Sequence, residues 1–265
     1  MHGVILTDIG GKNVNQDNAC IKICGNYLLA AVCDGMGGYT GGEVASDLVI
    51  SAFSWWFDNV FSKHTERFSL TDIQKEFTAL IEKTNRRLVE YGKRCEGYVG
   101  TTLSALMLNG DHALSVQVGD SRIYSCGAKI TLMTEDQSFA HSELSSGRMS
   151  AEEISKDSRR HMLLQCIGIT DEISPVYNIW KRGKENGYVL CSDGFWQTAD
   201  MDKLNRVIYG AKRLDDNEVS LAIQHMIEEI KQNGEMDNIT AVAIWKSEED
   251  FEAEGQMYSS GTIKL

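Results

Sequence analysis

Five short stretches of the sequence share one form: an apolar or β-rich run meets an aspartate beside Gly, Ser or Asn. They are NVNQDNA at Asp17, VCDGMGG at Asp34, VQVGDSRIY at Asp120, VLCSDGFW at Asp193 and EMDNITAVAIW at Asp237. A bare carboxylate at the end of a buried strand is costly unless it is solvated, paired or bound to a cation. These five acids have no matching set of Lys or Arg beside them, so the pattern points to cations as their partners. Carboxylate oxygens without a Cys/His cluster select hard ions, magnesium or manganese, over zinc. Two such ions bridged by a carboxylate are a recurring device for phosphoryl chemistry. Taken singly, each acid has a plainer reading. Asp-Gly is a common turn, Asp120 has Arg122 as an available partner, and Asp237-Asn238 suits a turn before a strand. The set is what points to metal-assisted chemistry.

The densest stretch is AAVCDGMGGYTGGEVAS. It ends an apolar run on Asp34, and five glycines (35, 37, 38, 41 and 42) follow at once. Such a run lets the backbone turn tightly and come close to whatever Asp34 holds.

These acids must be carried by rigid elements. Strand-like runs cover residues 3–9, 19–24 and 27–33. Two helices follow, one with Ala45, Leu48, Val49, Ala52, Phe53 and Trp56 on a face, the other with Ile73, Phe77, Leu80, Ile81 and Leu88. Ser69 and Asp72 offer the second helix an N-terminal cap. A meander is expected over 102–108, 113–118, 122–126 and 129–133, with hairpin turns at Asn109-Gly110-Asp111 and Cys126-Gly127. Residues 137–160 are polar and weakly periodic, and read as short helices on a mobile excursion. Strands return at 176–180, 188–191 and 239–245, with an amphipathic helix through Val219, Ile223, Met226, Ile227 and Ile230. Strands in clusters with helix pairs between them suit an α+β fold, two antiparallel sheets packed face to face with helices outside.

The chain has 265 residues and a net charge of −12, which argues against a broad basic surface for nucleic acid. No apolar run is long enough to cross a membrane, and the start, MHGVILTDIGG, lacks the form of a signal peptide. The seven cysteines are scattered with no C-x-x-C pair, which suits free thiols in a reducing cytoplasm. With a single proline, no linker and no repeat, one compact domain is expected over residues 1–247, followed by a loose polar tail over 248–265.

The ordered set TDIGGKNVNQD, AAVCDGMGGYTGGEVAS, VGTTLSALML, VGDSRIYSC, ITLMTEDQS, LLQCIG, VLCSDGFW and DNITAVAIW spans nearly the whole chain. It resembles the metal-dependent protein phosphatases of the protein phosphatase 2C type (PPM family), in particular bacterial Ser/Thr phosphatases. The resemblance implies a four-layer α-β-β-α sandwich with a dimetal site at one end, holding two manganese or magnesium ions with a third, weaker site. It implies hydrolysis of phosphoserine and phosphothreonine by attack of a dimetal-activated water. By the same resemblance Asp34 bridges the two ions, Gly35 gives a backbone carbonyl, Asp193 and Asp237 bind the second ion, and Asp17 completes the cluster. Asp120 matches an acid of the third site. Asp34, Asp193 and Asp237 are thus the catalytic residues. The implied partners are phosphorylated proteins, targets of Ser/Thr kinases, met by a monomer in the cytoplasm without nucleic acid or membrane.

Four positions depart from the family pattern. Lys12 stands where relatives use an arginine to grip the substrate phosphate, so it is the candidate phosphate-binding residue with one charge and no fork. Met36 and Tyr39 stand where some relatives have histidine, so protonation of the leaving group falls to a metal-bound water. Gln137 replaces a frequent histidine. Two rival readings are a phosphatase-like regulatory or binding module with weak or lost catalysis, and an acidic domain that binds cations only for stability. Every acid expected at a metal position is present, which favours the enzyme.

Overall fold

The structure is a computed structural model, and it describes residues 1–37, 41–183, 185–211 and 216–246. The tail expected over 248–265 lies outside the described residues, as does Tyr39.

The strands are β1 (His2–Asp8), β2 (Asn18–Cys24), β3 (Tyr27–Cys33), β4 (Gly35–Gly37), β5 (Val99–Thr101) and β6 (Leu103–Asn109). Then come β7 (His112–Val118), β8 (Arg122–Cys126), β9 (Thr131–Leu132), β10 (Val176–Lys181), β11 (Gly187–Cys191) and β12 (Ile239–Trp245). One sheet runs β1-β12-β11-β8-β9 and the other β10-β7-β6-β3-β2, with every pairing antiparallel. The helices are α1 (Gly42–Trp56), α2 (Leu70–Arg94), α3 (Phe139–Ser145), α4 (Ala151–Lys156), α5 (Asp193–Trp196), α6 (Met201–Gly210) and α7 (Asp216–Gln232).

The central strands are apolar on successive residues because both of their faces are buried. In β3, Leu28, Ala30 and Val32 point between the sheets, where they meet Leu106, Tyr188, Leu190, Val242 and Ile244. Leu29, Ala31 and Cys33 point the other way and pack with Phe53, Trp56 and Phe77 of α1 and α2. In β12 the alternation is repeated: Ala241, Ala243 and Trp245 pack with Leu204 of α6 and Ile223, Met226 and Ile227 of α7. Three apolar layers between four structural layers give the α-β-β-α sandwich.

The expected cap of α2 forms as a reciprocal pair: Asp72 N–H donates to Ser69 Oγ and Ser69 N–H to Asp72 Oδ2, each at 3.2 Å. The excursion carries two short helices, α3 and α4, as expected. Helix α5 and three other features differ from the sequence expectation. The strand expected over 129–133 shortens to two residues. The pair β4–β5 was not anticipated, because three residues are too few to show a period. Helix α6 also went unread, although Asp200 caps it by accepting the Lys203 N–H at 2.8 Å and Leu204 and Ile208 bury one face.

The layered core predicts a clear contrast in stability. Leu190→Ala, between the sheets, should cost about 2–5 kcal/mol in urea unfolding. Leu221→Ala, on the exposed face of α7, should stay within about 0.5 kcal/mol.

Candidate active site

Strand register puts all five acids at one end of the sandwich. Asp34 follows β3, whose last residue, Cys33, pairs with Asn18, the residue after Asp17. Asp193 follows β11, whose Cys191 pairs with Ala241 of β12 and Arg122 of β8. Asp237 precedes β12, and Asp120 sits in the turn between β7 and β8. In an antiparallel sheet the end of one strand lies beside the start of the next, so acids at alternating ends and starts converge. Four of them, Asp34, Asp120, Asp193 and Asp237, line an open cleft of about 450 Å³ together with Gly35 and Lys12. Asp17 lies behind it, bonded through Oδ2 to the Ser192 hydroxyl at 2.7 Å.

Each acid is held by its backbone. The Asp34 N–H donates to Thr102 Oγ1 at 2.9 Å, and its carbonyl accepts the Thr102 N–H at 2.9 Å and the Thr101 hydroxyl at 3.0 Å. Thr102 Oγ1 in turn meets Ser121 Oγ at 2.7 Å, which joins the Asp34 turn to the Asp120 turn. The carbonyl of Asp120 accepts the Trp196 indole N–H at 3.1 Å, so helix α5, which begins at Asp193, braces Asp120. Arg122 does not pair with Asp120. Its guanidinium makes two bonds to Asp136, at 2.9 and 2.7 Å, and stacks 3.4 Å over the Trp196 ring.

Gly35 is glycine for lack of room. A Cβ there would collide with the carbonyl oxygens of Gly42 and Gln16. Gly10, at φ +62°, lets the loop before Asp17 pass over the Asp237 carbonyl, where a Cβ would also collide.

One residue that the sequence offered only as part of a turn holds this loop. Asn238 is buried; its Oδ1 accepts the Gln16 N–H at 2.8 Å, and its Nδ2 donates to the carbonyls of Ile9 at 2.9 Å and Val14 at 3.1 Å. It therefore clamps the segment that carries Lys12 and Asp17. Lys12 Nζ stands 3.1 Å from Asp237 Oδ1.

The electrostatics are those of crowded like charges. Burial raises the pKa of Asp34 well above the carboxylate range, and Asp17, Asp193, Asp120 and Asp237 push it further. Burial raises that of Asp193, and Asp237 pushes it further. Asp17 is pushed up to about 6, by burial first, and Asp120 to about 7, by burial and then by Asp193. Asp17 Oδ1 and Asp193 Oδ1 are buried with no hydrogen-bond partner. No three acids among the described residues close into a tight cage around one point. An all-oxygen donor set with orphaned buried oxygens, open to water on one side, fits hard divalent cations that keep part of their hydration. The buried thiols are unsuited to nucleophilic work: burial pushes Cys126 and Cys166 up to about 12, and Cys33 well above its ordinary value.

A profile described as "Protein phosphatase 2C" matches residues 8–237. The chain belongs to the protein phosphatase 2C family. It is 28% identical over 259 residues to protein phosphatase PhpP of Streptococcus pneumoniae, covering 94% of this chain and 98% of that one. The solved S. agalactiae serine/threonine phosphatase matches with TM-score 0.79 and 26% identity, over 92% of this chain and 98% of that one. The catalytic domain of the phosphatase PstP, solved in complex with two manganese ions, matches with TM-score 0.72 and 25% identity over 91% and 96% of the two chains. The two-sheet sandwich is thus a fold shared with phosphatases of this family.

The site also shows residues that sequence reasoning did not single out. Asn238, Thr101, Thr102 and Ser192 are small polar neighbours whose value lies in contacts with distant segments. His161 and Leu163 enter the cleft from the excursion.

Two outcomes follow. Asn238→Ala removes three hydrogen bonds and should destabilise the protein by about 2–4 kcal/mol, read by urea unfolding. In chelator, Asp17 and Asp120 keep protons up to about 6 and 7 that the unfolded chain releases near 3.8. The cation-free fold should therefore be most stable near pH 4 and lose stability as pH rises through 7. Adding manganese at pH 7.5 should restore the melting temperature. A melting temperature in chelator that does not fall between pH 4 and 7 would contradict the mutual repulsion of the acids.

Proposed function

We infer that this chain is a metal-dependent protein serine/threonine phosphatase. The observation that carries the inference is the convergence of four aspartates beside one lysine in an open cleft, with Asp17 outside its lining and orphaned buried oxygens on Asp17 and Asp193. In this reading Asp34, the Gly35 carbonyl, Asp193, Asp237 and Asp17 would hold two ions, and Asp120 would serve a third. Manganese or magnesium bound there supplies Lewis-acid polarisation of phosphoryl oxygens and a water made nucleophilic near neutral pH. Lys12 binds the substrate phosphate as a point charge, leaving Asp237 to do so. The clamp of Asn238 and the Thr101–Thr102 bonds fix where the phosphate can sit, so reactants are positioned before the reaction begins. No phosphorylated cysteine is formed, in keeping with thiols held protonated by burial. The catalytic domain spans residues 1–247. Its substrates are phosphoproteins made by Ser/Thr kinases, and it acts on them as a monomer in the cytoplasm.

Hydrolysis of para-nitrophenyl phosphate with manganese tests the reading. Asp34→Asn and Asp193→Asn should each lower kcat by on the order of a hundredfold or more while circular dichroism keeps the wild-type form. Lys12→Ala should mainly raise KM for phosphopeptide. A manganese-loaded protein inert on every phosphopeptide would favour the binding module instead.

A further inference from the structure

Breaking a phosphoserine ester expels an alkoxide, a poor leaving group unless it is protonated as it departs. The cleft contains few groups able to supply that proton. Its four aspartates are committed to the cation site. Lys12 is paired with Asp237. Glu235 Oε1 accepts the N–H groups of Met236 at 2.9 Å and Asp237 at 3.0 Å, so it is committed to the turn. Met36, on the wall beside Asp34, has no proton to give. One titratable group of the lining remains: His161, whose ring makes no hydrogen bond or ion pair with any described residue.

His161 is not adrift. The Met162 carbonyl accepts the Phe139 N–H at 2.8 Å, and the Leu164 N–H donates to the Gln137 carbonyl at 2.8 Å. Gln137 exchanges two bonds with Gly119, the residue before Asp120. Its N–H donates to the Gly119 carbonyl at 3.0 Å, and its Oε1 accepts the Gly119 N–H at 2.8 Å. A chain of backbone bonds therefore ties the segment that carries His161 to the turn that carries Asp120. The ring is exposed to solvent, so it can be reloaded from water. Imidazole is the side-chain type that both holds and releases a proton near neutral pH.

We propose that His161, in place of the metal-bound water expected from the sequence, donates the proton to the departing serine or threonine oxygen; the proposal rests on the phosphatase reading above. A water oxygen bonds to phosphorus as the ester P–O bond breaks. The electron pair of that bond goes to the seryl oxygen, which takes the imidazolium proton. The proton lost by the water passes to solvent, and the neutral imidazole regains one from solvent. The products are the free hydroxyl and inorganic phosphate.

The test compares leaving groups. A phosphoserine peptide needs the donor, whereas para-nitrophenolate leaves without one. In His161→Gln and His161→Asn with manganese, the ratio of kcat on the peptide to kcat on para-nitrophenyl phosphate should fall by on the order of a hundredfold. Across a series of aryl phosphates, kcat should also depend more steeply on leaving-group pKa than in the wild type. Equal losses on both substrates, or an effect confined to KM, would overturn the proposal. A wild-type protein that hydrolyses neither substrate would overturn the phosphatase reading itself.

Discussion

Repulsion among carboxylates governs this molecule. Asp34, Asp193, Asp17 and Asp120 are drawn together in surroundings poor in water, and each raises the cost of ionising the next. Left alone, such a cluster would spread apart or take up protons. The surrounding structure resists spreading: the Thr102–Ser121 contact, the Trp196 indole and the Asn238 clamp are side-chain hydrogen bonds that join turns and loops belonging to different strands. The protein thus keeps a cost in the folded state that divalent cations relieve. Binding energy is prepared in advance by the fold, which is the general logic of preorganised sites.

The two sheets make that resistance possible. Because β3, β11 and β12 bury both faces, their ends cannot shift without disturbing two apolar layers at once. Close-packed layers transmit such strain poorly tolerated by side-chain rearrangement. The acids are therefore mounted on the stiffest part of the chain. His161 and Leu163 reach the same cleft from a looped excursion held by a handful of backbone bonds. Rigidly mounted acids and a cleft lining drawn partly from a loop suit a site that must fix one phosphate while accepting varied polypeptides around it.

Much of this was legible in the sequence, and the limits have physical causes. Continuous apolar runs revealed β3 and β12 with their bounds intact, since a strand buried on both faces leaves no polar residue to confuse its edges. The acids were legible as a set because each breaks an apolar run abruptly. Helix α6 was hidden by its short length and by a mostly charged exposed face. The work of Asn238 was hidden for a different reason: its partners are more than two hundred positions away, and a side-chain amide carries no mark of the carbonyls it will find. His161 was likewise invisible as a cleft residue, because only the path of the excursion brings it there.

Strand β1 pairs with β12 along its whole length, from His2 with Trp245 to Asp8 with Ile239. The first and last strands described are neighbours, and Asn238 fastens the loop after the first to the start of the last. Asp17 and Lys12 are therefore made more than two hundred residues before the Asn238 that fastens their loop. Closing so long a loop is slow compared with forming local structure. A chain that lacks β12 and the turn before it lacks both Asp237 and the clamp, so the full set of acids assembles only after the longest-range pairing in the sheet has closed.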